Sequence, residues 1–409
     1  MLYICFFNIF LIYLQKYVNM KQPIKKKIAE ANNINPTKQI YSLVVDGNNL
    51  LKISLVNKEL NNDGKEYGGV LNFIRMLGNI LLKKDFDYCS VCWDGEGSGV
   101  LRYKYYKDYK ANRDKHYEDY ENTVKNEYLK KYRDYSRKVI NYSREKNNKN
   151  YQETEDEAFD RQKKIIQAIL EELCIRQYEY NNVEGDDIVS YIVKNRKDNE
   201  KIVIVSSDKD LTQLISANVI IYNPRMKDFV MENNSVKMIG VTHKNVVVEK
   251  ILCGDPSDNI KGIKGIGETT LKKLFPEFEN EEMTLEAVIE RSKGLLEERK
   301  QAKKKPLKSL ENIVNGVTDG CQGDKVYEIN RKIIDLSEPL LTEEAKAEID
   351  DVLYAPIDTS DRSLKNVYKI VEYNKMYELT NENRFGNAFA PYNRIQMMEQ
   401  KRFENFKKS

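Results

Sequence analysis

The chain has 409 residues, 41% of them hydrophobic, enough for roughly two to three domains with real cores. Its 67 Lys and Arg nearly balance 64 Asp and Glu, so the net charge of +3 says nothing about partners; only the distribution of charge does. The six cysteines are scattered and only His116 and His243 are histidines, so zinc on Cys89 and Cys92 lacks two further soft ligands, and that pair reads as buried packing in a reducing, cytoplasmic setting.

Residues 1–14 are almost wholly apolar, yet no basic residue precedes them as in a secretory signal, and the stretch is short for a membrane span. Met20 opens Met-Lys-Gln-Pro-Ile-Lys-Lys-Lys, a plausible start for a soluble protein. Residues 1–40 are therefore expected to be an extension, its first nineteen residues arising from an upstream start assigned in error. A membrane anchor or partner helix is the alternative.

From Tyr41 the chain alternates strand and helix. Residues 41–45 form an apolar run ending at Asp46, and Val70, Ile74, Leu77 and Leu81 mark a helical face. Residues 88–93 read as a strand ending at Asp94. Helices follow over about 155–176 and from Asp186, with strands over 201–205 and 219–222. The pattern predicts an α/β core over 41–240 with a mostly parallel central sheet flanked by helices and right-handed crossovers.

Ligands of such sheets bind at the carboxyl ends of the strands. Asp46, Asp94, Asp208 and Asp210 each follow a strand directly, and Glu184, Asp186 and Asp187 open a helix where its N-terminus favours carboxylates. Taken singly, each acid reads equally as a cap or turn residue. Together they would repel one another unless cations fill the space, and an oxygen-only donor set points to Mg²⁺, with Mn²⁺ as a substitute.

A basic segment follows Asp94. Residues 102–150 hold 15 Lys or Arg against 8 Asp or Glu, and ten tyrosines fall between Tyr103 and Tyr142. Rings for stacking and cations for phosphates suit a single strand; a solvated helical insertion is the plainer reading beyond about residue 115. Lys110 and Arg113, close after Asp94, are the cations best placed to reach a phosphate held there.

Residues 251–267 join two further features. If a helix begins near Asp255, Asp255 and Asp258 share the face of its first turn. Gly262, Gly265 and Gly267 can then take positive φ and offer bare backbone N–H groups to a phosphate, before a helix from Glu268 that carries two lysines. Helix, glycine hairpin and helix make a sequence-independent DNA clamp; an ordinary capped helix and loop is the alternative.

Taken in order, Val-Val-Asp46-Gly-Asn-Asn, Trp93-Asp94, Tyr109-Lys-Ala-Asn-Arg113, Val183-Glu-Gly-Asp-Asp187, Ser207-Asp-Lys-Asp210 and Gly254-Asp-Pro-Ser-Asp258 with the glycine hairpin resemble the 5′ nuclease family. The type nearest this chain is that of bacteriophage ribonuclease H and phage flap endonucleases. The resemblance runs from about residue 41 to 278. It implies a first metal site on Asp46, Asp94, Glu184, Asp186 and Asp208 and a second on Asp210, Asp255 and Asp258, with Asp187 adjoining. It assigns Tyr109, Lys110 and Arg113 to the base of a helical arch over about 100–155. Gly262, Lys264, Gly265, Gly267 and Lys272 fall to a helix-hairpin-helix over about 245–280, which leaves room for a monovalent cation. The implied activity is 5′→3′ exonuclease and flap endonuclease cleavage with two Mg²⁺, by in-line displacement at a phosphate. Catalysis would fall to Lys110, Arg113 and Asp186. The implied partners are DNA with a free 5′ end or flap, RNA–DNA hybrid, single-strand-binding protein and a sliding clamp, met by a monomer.

Residues 285–298, 307–314 and 326–336 read as helices of a C-terminal domain spanning 241–409, and the polar residues 368–409 as a flexible tail, with a folded helix as the alternative. A PIN-type nuclease would lack the glycine hairpin, a non-catalytic DNA-binding protein would lose acids, and a haloacid-dehalogenase phosphatase needs a second aspartate where Asn48 stands.

Overall fold

Apolar runs that lack strict alternation suit strands covered on both faces, and the central strands here are covered so. In the computed structural model, which describes residues 39–56, 59–60, 64–111, 153–319 and 322–408, β1 (Ile40–Asp46) is buried at every position but Tyr41. It pairs in parallel with β2 (Tyr88–Asp94) on one side and β4 (Glu200–Val205) on the other. Outside them lie β3 (Arg176–Tyr180), β5 (Val219–Asn223) and the antiparallel β6 (Asp228–Val230), giving the order β3-β2-β1-β4-β5-β6. The mostly parallel sheet expected from the pattern is present. β3 and β6 were not foreseen: Arg176-Gln-Tyr-Glu-Tyr carries no apolar run, and β6 has three residues.

Helices α1 (Gly47–Ser54), α2 (Gly68–Leu81) and α3 (Glu155–Glu172) cover one face, packing Leu50, Phe73, Ile74 and Ile166 against Leu43, Val45 and Trp93. α3 stops four residues short of the expected Arg176, and Cys174 at φ 58° marks the left-handed turn that ends it. On the other face α4 (Gly185–Lys194) lays Ile188, Val189 and Ile192 over Val44 and Ile204. Cys89 and Cys92 fall in the two opposite cores, so the pair is packing, as their spacing on a strand predicts.

A third core holds α5 (Val246–Cys253), α6 (Glu268–Leu274), α7 (Leu285–Gln301), α8 (Lys308–Asn315) and α9 (Lys325–Ile334). α10 (Glu343–Val352) returns to the α4 face through Ala345 and Ile349.

The flexible tail is corrected. Residues 364–408 form α11 (Leu364–Tyr373), α12 (Glu382–Phe389) and α13 (Asn393–Lys408). Val367, Val371, Leu379, Phe389 and Tyr392 are buried in the core of α1 to α3, and the Tyr392 hydroxyl donates to the Ile74 carbonyl at 2.7 Å. Apolar residues four apart on short helices, too sparse to announce themselves, bury fully once aligned.

Candidate active site

The order of the sheet reverses at β1: β2 and β3 extend it one way, β4 and β5 the other, which leaves a crevice beyond the carboxyl ends of β1 and β4. Asp46, the last residue of β1, caps α1 by accepting from the Asn49 amide at 3.0 Å, and its second oxygen accepts from the Ser206 hydroxyl just past β4 at 2.9 Å. Asp94, the last residue of β2, accepts from Asn48 Nδ2 at 2.7 Å and from the Gly185 amide at the start of α4 at 2.8 Å. Asp208 accepts from the Asp210 amide at 2.9 Å. Residues from four separate segments thus meet at one edge.

Their charges are poorly balanced there. Burial, with Asp94 and Asp208 nearby, raises the Asp46 carboxyl to about 7. Burial followed by Asp46, Asp208, Asp94 and Glu184 pushes Asp186 well above the ordinary carboxylate range, and Asp186 accepts no hydrogen bond from the described residues. Glu184 is the opposite case. Burial works to raise it, but Arg102 at 2.6 Å, Lys110 and the Tyr109 hydroxyl at 3.0 Å hold it at about 2.

Asp187 sits apart from this group. It forms a two-pronged pair with Arg102, at 2.5 and 3.2 Å, and accepts from the Leu340 amide at 2.9 Å. Its side chain is almost fully buried and serves to fix Arg102 and the α9–α10 connection, so the structure places it among structural contacts and not at the open edge.

The second group of acids is arranged around a lysine. Lys250, in the last turn of α5, pairs with both Asp210 and Asp255, the latter at 2.5 Å. Burial raises Asp210 to about 6 with Lys250 opposing, whereas at Asp255 the lysine and Ser257 outweigh burial and lower it. The expected helix from Asp255 is not formed. α5 ends at Cys253; Gly254–Asp255 is a short strand paired with Ile260–Lys261, and a 3₁₀ turn over Pro256–Asp258 lies between them. Proline at position 256 starts that turn, and Asp255 caps it by accepting from the Ser257 amide at 2.9 Å.

The base of the basic segment is fastened to this turn. The Lys110 amide donates to the Asp258 carbonyl at 2.8 Å and Asn259 Nδ2 to the Asp108 carbonyl at 2.7 Å. The Tyr109 hydroxyl touches Asp258 at 3.1 Å as well as Glu184, and Lys110 reaches both acids. Tyr109 and Lys110 therefore bridge the two groups of carboxylates. Arg113 and most of the expected arch lie outside the described residues.

In the glycine hairpin only Gly265 takes positive φ, at 80°; Gly262 and Gly267 do not. Gly262 is required for another reason: a Cβ there would sit 2.2 Å from the Cys253 carbonyl carbon, where the hairpin crosses the end of α5. Gly265 and Gly267 face open space, and their amides donate to no described residue. Lys264 is exposed and pairs with Asp319 at 3.0 Å, while Lys272 bonds the Gly240 carbonyl and Glu279.

Among the described residues no three Asp, Glu, His or Cys side chains stand in a geometry that would ligate one ion. The carboxylates are turned onto protein donors, chiefly Asn48, Asn49, Ser206, Arg102 and Lys250. The chemistry of the set still fits a hard divalent cation: all donors are oxygens, burial and then neighbouring carboxylates push Asp46 and Asp186 toward neutrality, and Asp186 has no donor of its own.

The family model described as 5′-3′ exonuclease, N-terminal resolvase-like domain, matches residues 41–250, just over half of the chain. The chain belongs to the 5′-3′ exonuclease family. Among relatives, it is 34% identical over 126 residues to a 5′-3′ exonuclease of Mycoplasmopsis pulmonis, covering 31% of this chain and 42% of that one. It is 34% identical over 153 residues to DNA polymerase I of Bacillus subtilis, covering 36% and 17%. These matches span less than two thirds of the relatives. The fold is similar to that of T5 5′-exonuclease with bound zinc, at a TM-score of 0.50 and 18% identity over 82% of this chain and 99% of that one. The mostly parallel α/β core flanked by helices that the sequence leads one to expect is thus the fold of this family member.

Sequence reasoning missed Arg102 and Lys250, which organise the two acid groups of this 5′-3′ exonuclease family chain. Nothing local marks them: Arg102 lies 85 residues from Asp187, and Lys250 reads as one more charge on a helix. Ser206, Asn48 and Asn49 carried a better signal, since each lies within three residues of a strand end and of an aspartate.

Proposed function

We propose that the chain is a divalent-metal-dependent 5′→3′ exonuclease and structure-specific flap endonuclease, hydrolysing phosphodiester bonds near the 5′ ends of DNA or RNA–DNA hybrid. The observation that carries this reading is the delivery of Asp46, Asp94, Glu184, Asp186 and Asp208 from distant segments to one crevice, stitched through Tyr109 and Lys110 to the turn that leads into the glycine hairpin. The family relationship and the names of the relatives support it.

Asp46, Asp94, Glu184, Asp186 and Asp208 would hold one Mg²⁺ and Asp210, Asp255 and Asp258 a second, with Mn²⁺ as a substitute. Bound there, the ions would acidify a water and offset charge on the phosphate. Lys110 is anchored at the junction of the two acid groups, so its ammonium can meet the phosphoryl oxygens as negative charge grows on them. Arg113 is assigned the same task. Tyr109, buried at that junction, orients Glu184 and Asp258 and has no ring face open to the 5′ strand. The amides of Gly265 and Gly267, with Lys264 and Lys272, hold the duplex backbone, and hairpin carbonyls take a monovalent cation.

In replication of the phage type such an enzyme removes RNA primers, a ribonuclease H activity, and flaps, alongside single-strand-binding protein and a sliding clamp. A 5′-labelled flap and a 5′-labelled RNA–DNA hybrid, each incubated with Mg²⁺ and with chelator, test the reading. Release of short 5′ products only with Mg²⁺ is expected; both substrates left whole under every divalent ion would overturn it.

A further inference from the structure

The charge of this chain is not spent at the crevice alone. Residues 299–308, which turn from α7 into α8, contain Arg299, Lys300, Lys303, Lys304, Lys305 and Lys308 and no acid. Lys300 and Lys308 pair with Glu297 and Glu311, and Arg299 donates to the Lys305 carbonyl at 2.9 Å. Lys303, Lys304 and Lys305 are exposed and form no ion pair with any described residue. Lys303 takes φ 53° to turn the chain, the Lys304 amide closes the turn on the Arg299 carbonyl at 2.8 Å, and Pro306 stiffens its exit. Three ammonium groups are thus held on a shaped tip and not on a loose loop.

That tip is rigidly tied to the glycine hairpin. Asn312 of α8 donates to the Lys264 carbonyl at 2.8 Å, the Lys264 amide donates to the Val317 carbonyl at 2.8 Å, and Thr318 donates to the Gly262 carbonyl at 2.7 Å. Leu310 and Ile313 fix α8 in the same core as α5 and α6. At 1.5 Å per helical residue, the tip lies on the order of 10 to 20 Å from Lys264. Along a duplex that is roughly three to six base pairs. Like charges held together unpaired are costly unless a polyanion offsets them, and a duplex backbone presents phosphates at this spacing.

We propose that the α7–α8 tip is a second, sequence-independent seat for duplex DNA, in which Lys303, Lys304 and Lys305 contact backbone phosphates of the arm that extends beyond the glycine hairpin. This rests on the reading that the hairpin grips a duplex. It predicts that the chain senses arm length: a short duplex fills the hairpin alone, a longer one fills both seats.

The test uses the full chain with chelator present, so that nothing is cut, and follows binding of a fluorescent duplex of about 4 base pairs, closed by a short loop so that it stays paired, and another of about 30 across a salt series. For the triple variant Lys303→Gln/Lys304→Gln/Lys305→Gln, the slope of log affinity against log salt on the long duplex should fall by about 2 to 3, with the short duplex unchanged. The triple Lys→Arg variant should restore the slope. An unchanged slope on the long duplex, or an equal fall on both lengths, overturns the proposal. A wild-type chain that binds no duplex would remove the clamp reading and this seat with it. One that binds but never cuts would remove only the nuclease reading.

Discussion

The Lys250 ammonium lies 2.5 Å from the Asp255 carboxylate and contacts Asp210 on its other side, standing between two acids assigned to a divalent cation. A largely buried acid that loses its only cation is left uncompensated. Lys250→Met should therefore lower the stability of the metal-free protein by about 3 kcal/mol. Millimolar Mg²⁺ should return most of that loss, because the ion would replace the missing charge. Denaturant melts of both proteins with and without Mg²⁺ check this; an equal loss in both conditions would mean that Lys250 is merely structural.

Asp186 is the acid whose charge is least compensated, and it has no hydrogen bond to lose. Asp186→Ala should cut kcat on a 5′ flap by about 10³-fold or more, in the range seen when a charge-stabilising group is removed. Duplex affinity should stay within about twofold, since the hairpin lies elsewhere on the chain. Single-turnover cleavage and a binding titration separate the two effects, and full activity in the variant would take Asp186 out of the site.

The same crowding sets a pH dependence. In the unfolded chain Asp46 and Asp210 titrate near 3.8; in the folded protein burial first, then neighbouring carboxylates, hold them at about 7 and about 6. The folded state therefore binds more protons between about pH 4 and 7, and stability falls as pH rises through that window. Glu184, held at about 2, acts the other way, but its contribution is complete above about pH 4.5 and is lost only toward pH 2. In chelator, Tm should thus fall between pH 5 and about 7.5. Asp46→Asn should flatten the fall, and so should Mg²⁺. A Tm that climbs over this range would contradict the crowding.

How far the sequence reaches is clearest at Asp46 and Lys250. Asp46 is legible because an apolar strand buried at all but one position, with a Gly and two Asn after it, leaves the chain little choice but to turn at the sheet edge, and a parallel sheet brings such edges together. The partner that steadies it, Ser206, follows from the same logic one strand over. Lys250 is not legible, since its role depends on how α5 docks against the segment after β4, and docking is a property of the assembled core. Asp255 shows the same limit locally: its spacing to Asp258 fits a helix, but Gly254 at φ 78° crosses too near Gly262 for the helix to continue.

The end of the chain gives the strongest test of packing against pattern. Residues 364–408 are mostly polar, and nothing in their average composition separates them from a tail. Yet Phe389 is fully buried, its ring centroid 4.6 Å from that of Phe385, within the core that supports α1 and α2. Phe389→Ala should leave a cavity there and cost about 3 to 5 kcal/mol. The crevice is built from other residues, so cleavage per folded molecule should not change. Chemical denaturation reads the first effect and active-site titration the second. A loss below about 0.5 kcal/mol, the size expected of an exposed position, would return these helices to the status of a tail.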